Sequence, residues 1–68
     1  MRMLVGGKEL PVAQMASDFI ILRDAPSALP ASAAEIIMEV DGEPTRFPVF
    51  LPQGLIADER RTPIASAL

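Results

Sequence analysis

Residues 35-EIIMEVDGEPTRFPVFL-51 admit two readings, and the fold follows from the choice between them. In the first half, Ile36, Met38 and Val40 alternate with Glu35, Ile37 and Glu39. In the second, Phe47, Val49 and Leu51 alternate with Arg46, Pro48 and Phe50. A period of two puts one set of side chains on a buried face and the other on an outer face, as in a half-buried strand. Asp41-Gly42 between the halves is a turn signal. A four-residue loop from Asp41 to Pro44 would pair Val40 with Thr45, Met38 with Phe47 and Ile36 with Val49. Glu39 would then meet Arg46 on the outer face. Each such cross-strand match contributes roughly 0.2–1 kcal/mol, and a one-residue slip would turn the apolar set to water.

The rival reading is a helix over 31-ASAAEIIMEV-40. Its residues are mostly good helix formers, Ile36, Ile37 and Val40 share one helical face, Pro30 suits the start and Gly42 the end. The strand reading is preferred because Asp41-Gly42 and the alternation in 46–51 complete a hairpin.

Working outward, 25-APSALPASAA-34 carries two prolines and little bulk, and reads as a loop crossing the sheet surface. Before it, 19-FIIL-22 is a run of four bulky apolar residues, expected to be a central strand covered on both faces. Residues 13–18 connect it to 3-MLVGGKELPV-12, a second hairpin. A turn at Gly7-Lys8 would match Val5 with Leu10 and Met3 with Val12, whereas a turn at Gly6-Gly7 sets Val5 against Lys8. The first register is preferred for its apolar matches. After the central hairpin the chain turns at Gly54 and passes a polar cluster, Asp58 to Thr62. Thr62-Pro63-Ile64 forms a last short strand, and the final residues fray.

Leu10-Pro11-Val12, Phe47-Pro48-Val49 and Thr62-Pro63-Ile64 share a pattern, a proline between residues that face the same way. Proline has no N–H to give a ladder, so these are expected on edge strands, where they block edge-to-edge association.

The chemistry the chain lacks is as informative. Among 68 residues there is no cysteine and no histidine. That removes disulfides, thiolate zinc sites, thiol nucleophiles, the commonest metal ligand and the commonest general base near neutrality. No serine sits in a G-x-S-x-G elbow, and Gly6-Gly7 lacks the rest of a phosphate loop. The carboxylate pairs Asp41/Glu43 and Asp58/Glu59 lack the ligand spacing of a calcium loop and read as solvated turn residues. No cofactor and no enzymatic activity are expected.

Six basic residues against nine acidic ones give a net charge of −3, which disfavours nucleic acid, since phosphate binding needs clustered cations. Phe19, Phe47 and Phe50 are the only aromatic residues, too few for base stacking. The arginine pair and Asp-x-Ser-x-x-Gly signature of the small cyclic-dinucleotide-binding PilZ barrels are missing. The opening MRMLVGGKEL reaches glycine and charge too early for a signal peptide, and no apolar run approaches the roughly 20 residues of a membrane span. A cytoplasmic protein without membrane contact is expected.

At this length burial and chain entropy nearly cancel, and small domains so placed often gain stability from a second subunit. The sequence therefore predicts one domain over residues 1–68, mainly β: a small antiparallel sheet or partly open barrel of four to six short strands built from two hairpins. An α+β fold with a short helix at about 31–40 is the alternative. Outward-facing Ile37 and Phe50, with Ile20 or Leu22 of the apolar run, would form a second greasy face. That face makes Ile20, Leu22, Ile37 and Phe50 the candidate interface of a homodimer or of a complex with another protein. The expected function is a non-enzymatic interaction or assembly module. A small-ligand barrel using Arg46, Arg60 or Arg61 to hold an anion is the second reading.

Overall fold

The computed structural model describes residues 1–66, and it is built of strands: β1 (Arg2–Val5), β2 (Lys8–Met15), β3 (Phe19–Leu22), β4 (Ser32–Val40), β5 (Glu43–Leu51), β6 (Arg61–Pro63) and β7 (Ala65–Ser66). They form one antiparallel sheet in the order β6-β3-β2-β1-β4-β5-β7, curled into a partly open barrel. Residues 32–40 are thus strand, and among the described residues there is no helix. The last short strand expected at 62–64 is β6, at Arg61–Pro63, and the count reaches seven because the tail adds β7 after it. The fraying expected of the last residues, 67 and 68, lies outside the described residues.

Neither hairpin turns where the apolar matches suggest. β1 and β2 turn at Gly6-Gly7, pairing Val5 with Lys8, Leu4 with Glu9 and Met3 with Leu10. The two glycines have φ of 57° and 75°, the left-handed pair that a two-residue turn needs to match strand twist. A turn at Gly7-Lys8 would have forced a residue with a Cβ into that region. Opposite Val5, Lys8 lies at the rim, where its stem can cover apolar surface while the ammonium stays wet.

β4 and β5 likewise turn on two residues, Asp41 and Gly42, with φ of 54° and 81°. This pairs Val40 with Glu43, Met38 with Thr45, Ile36 with Phe47 and Ala34 with Val49. The register is displaced by two residues from the four-residue-loop reading, so every side chain keeps its face but changes its partner. Glu39 lies opposite Pro44, and Arg46 opposite Ile37.

The prolines follow the ladders. Flanking a two-residue turn, Val40 and Glu43 form a hydrogen-bonded pair, and such pairs alternate along an antiparallel ladder. Pro44, Arg46 and Pro48 therefore turn their nitrogens away from β4, onto a side of β5 that β7 covers only at Val49 and Phe50. Along that open side Arg46 has the one amide to offer. Pro63 is on β6, an end strand, and its pair with Phe19 lies between hydrogen bonds from Leu22 N to Arg60 O (2.8 Å) and from Ile64 N to Asp18 O (3.0 Å). Pro11 departs from the edge-strand expectation, since β2 is an interior strand. It is tolerated because β3 has already ended there: its carbonyl accepts from Arg23 N at 3.1 Å, and only the return bond is missing.

The concave side holds the core: Met3, Val5, Val12, Ile20, Leu22, Ile36, Val49, Leu51, Leu55 and Ile64. A register shift between Val12 and Gln14 lets Val12 and Met15, three apart, face inward opposite Leu22 and Ile20. β3 is interior as expected, with Ile20 and Leu22 in the core and Phe19 and Ile21 half-buried on the other side. The two loops meet through Leu29 and Leu55, whose amides and carbonyls bond reciprocally at 2.9 and 3.0 Å. The accessible surface is 4305 Å², close to the ~4,200 Å² that size scaling gives.

One core group is polar. Thr62 is 2% exposed, opposite Ile20, and among the described residues its hydroxyl has no hydrogen-bond partner. A buried hydroxyl left unpaired costs about 1–3 kcal/mol. Thr62→Val keeps the shape and removes that penalty, so it is expected to raise the unfolding free energy by about 1 kcal/mol. A lower urea midpoint for the variant would show that the hydroxyl is satisfied in solution.

Candidate functional site

The convex face differs from the concave one in chemistry. One row across four strands reads Pro11, Arg2, Ile37, Arg46, and the next reads Glu9, Leu4, Glu35, Pro48. Arg2 bonds Glu9 at 3.3 Å and Glu39 at 3.1 Å, while Arg46 bonds Glu35 at 2.8 Å. Exposed pairs of this kind contribute about 0–1 kcal/mol each, but here they lie over an apolar residue. Ile37 is flanked by Arg2 and Arg46 and is 3% exposed, although it stands outside the main core cluster. Neighbouring arginine stems are long enough to roof such a side chain while their guanidiniums stay in water.

The four candidate interface residues therefore fall into different settings. Ile20 and Leu22 are buried inside the barrel, and Ile37 is buried under charge. Phe50 alone is open, at 42% exposure, because its cross-strand neighbours Ala33 and Ala65 are too small to cover it. The Phe50–Ile37 face expected from the alternation is not continuous, since charged side chains stand between.

A second apolar surface lies at the tip of the central hairpin. β1 pairs with β4 only over Glu35–Ile37, yet β4 runs on to Val40 and β5 starts at Glu43. The tip of this hairpin overhangs the sheet. Its inward side carries Met38, Val40 and Phe47, which share a face with the core but have no strand opposite to bury them. Val40 is 52% exposed and Phe47 37%. Phe47 also lines a cleft of about 130 Å³ with Met15, Pro48, Val49 and Ile64 at the open seam of the barrel. A comparison of strand lengths would have exposed the overhang: the central hairpin has nine-residue arms, and β1 has four residues.

The three candidate anion-binding arginines are engaged one by one. Arg46 is held by Glu35. Arg60 Nε donates to the Leu22 carbonyl at 3.0 Å. The Arg61 guanidinium lies 4.3 Å from the centre of the Phe19 ring, an attractive cation–π distance. Among the described residues no three Asp, Glu, His or Cys side chains come together, and no helix is long and apolar enough to cross a membrane. Comparison with family models, with characterised proteins and with solved structures found no match to this chain.

Proposed function

We propose that the protein is a non-enzymatic interaction module that self-associates through the inward side of the overhanging β4–β5 hairpin. The observation that carries this reading is the exposure of Val40 and Phe47 on a face whose continuation is core. Large apolar side chains grouped on one face of a small protein commonly belong to a protein contact, and a ring such as that of Phe47 beside a cleft can act as an anchor. A chain this small also gains stability from a second subunit by mass action. The anion-binding alternative draws less support, because each of its three arginines already has a partner. A cytoplasmic site of action belongs to the same proposal, since a cysteine-free domain draws no stability from an oxidising compartment.

Sedimentation equilibrium tests the reading. The protein is expected to dimerise in a concentration-dependent way, and Val40→Lys with Phe47→Lys to weaken the dimer at least tenfold while leaving the fold intact by circular dichroism. Phe50→Lys, on the other face, is expected to change little. A monomer at all concentrations, or a dimer indifferent to Val40 and Phe47, would remove the proposal.

A further inference from the structure

Residues 61–66 close both ends of the sheet. β6 pairs with β3 through Phe19↔Pro63, Ile20↔Thr62 and Ile21↔Arg61, and β7 pairs with β5 through Val49↔Ser66 and Phe50↔Ala65. Ile64 between them is buried, and its amide bonds the Asp18 carbonyl at 3.0 Å. Lifting this one segment bares two sheet edges at once. The edge left on β3 is Phe19, Ile20, Ile21 and Leu22, without proline or charge to block pairing.

Few side chains of this segment are buried, and Arg61 rests on the Phe19 ring of β3, 4.3 Å from its centre. Within 61–66 only Thr62 and Ile64 are buried, and among the described residues the Thr62 hydroxyl is unpartnered. The connection that brings it back, residues 56–60, is exposed throughout. To make the return, Asp58 takes φ of 66°, a left-handed conformation that side chains other than glycine adopt reluctantly.

We infer that residues 61–66 exchange between two copies of this chain, the segment of one protomer completing the sheet of the other, with residues 56–60 as the hinge. The bared edges of β3 and β5 fit this segment in a known register, so the partner is a second copy. Exchange forms the β6 and β7 strand pairs again, and straightening the hinge gives up the hydrogen bonds from Asp58 N to Pro26 O at 3.1 Å and from Glu59 N to Ile56 O at 3.0 Å. It also frees Asp58 from its left-handed turn, the condition under which short connections favour swapping. This route to a dimer is separate from the Val40–Phe47 surface.

The test uses the pair Ile21→Cys, Arg61→Cys. Ile21 and Arg61 are directly opposed between the hydrogen-bonded pairs Leu22–Arg60 and Ile20–Thr62, the arrangement with the closest Cβ atoms and one suited to a disulfide. No other cysteine exists in the chain to confuse the link. Refolding the reduced variant, and the unsubstituted protein, from urea at high concentration is expected to yield dimers by light scattering. Oxidising the isolated dimer should join the two chains on a non-reducing gel, whereas protein oxidised as monomer beforehand should refold without exchanging. Asp58→Gly in the otherwise unsubstituted protein should lower the dimer fraction several-fold, and an unchanged fraction would overturn the hinge assignment. Dimers whose disulfide stays within one chain would overturn the exchange while leaving the hairpin surface standing. Refolding to monomer at every concentration would overturn the exchange as well.

Discussion

Gly54→Ala is expected to abolish the native fold, or to lower its stability by about 2–5 kcal/mol, combining backbone and steric penalties. Gly54 has φ of 62° and is buried where the chain turns after β5. A Cβ there would run into the carbonyl oxygen of Leu29 and come within 2.6 Å of that of Pro30. Those atoms are backbone, held by the reciprocal Leu29–Leu55 bonds, so they cannot swing aside as a side-chain tip would. A left-handed residue with a Cβ costs about 1–2 kcal/mol, and forcing extra volume into a packed site adds about 1–3 kcal/mol. A domain of this length has a total stability of only about 3–10 kcal/mol. Gly7→Ala is the control: its φ is 75°, but nothing lies within 4 Å of a Cβ there, so it should show the conformational penalty alone. Urea unfolding followed by circular dichroism separates the two. If Gly54→Ala loses no more than Gly7→Ala, the two loops do not touch as described.

The second large effect distinguishes adjacent residues. Ile36 and Ile37 are 0% and 3% exposed, and burial alone would rank their alanine variants together. They face opposite sides of β4. Ile36 lies in the core cluster against β1 and β5, opposite Met3 and Phe47, where neighbouring side chains are fixed and a deletion leaves a cavity. Ile36→Ala is therefore expected to cost about 3–4 kcal/mol, within the usual span for such truncations. Ile37 lies on the other face between Arg2 and Arg46, whose long stems can settle into a gap. Ile37→Ala should cost about 1–2 kcal/mol, since the penalty falls when a site can collapse. Urea midpoints at unchanged slope report the difference directly. Equal losses would show that the arginine cover is as rigid as the core.

In the β4–β5 hairpin the strand faces were readable from alternation, because parity survives even when the partner is misjudged. The two-residue displacement in β4–β5 moved no side chain across the sheet. Residues 13–15 and 32–34, which read as connections, instead extend β2 and β4. The uniformly apolar β3 gave no sign that Ile20 and Leu22 face the core. Register was not readable from apolar matching, because turn geometry decides it: Asp41-Gly42 and Gly6-Gly7 supply adjacent left-handed residues, and the flanking pairs follow. Matching Val5 with Leu10 looked better only while Lys8 was treated as a poor neighbour rather than a rim residue. The interface set was less legible. Phe50 is open, but Ile37 is hidden by charges brought together from positions 2, 9, 35, 39 and 46, a convergence local pattern does not carry. Val40 and Phe47 read as core residues, and only the short span of β1 leaves them uncovered.

The sheet order also bears on how fast the native state is reached. The glycine turns let β1–β2 and β4–β5 zip locally, on the microsecond scale typical of hairpins. β2–β3 also closes over a short connection, pairing Met15 with Ile20. The β1–β4 and β3–β6 ladders instead join distant positions, Met3 with Ile36 and Ile20 with Thr62, and each demands a large loop closure before it returns any contact. β3, the most apolar of the strands, obtains its second neighbour only from that final closure. Until then a sticky ribbon is available to strangers, so yield on refolding should fall with protein concentration long before native stability becomes limiting.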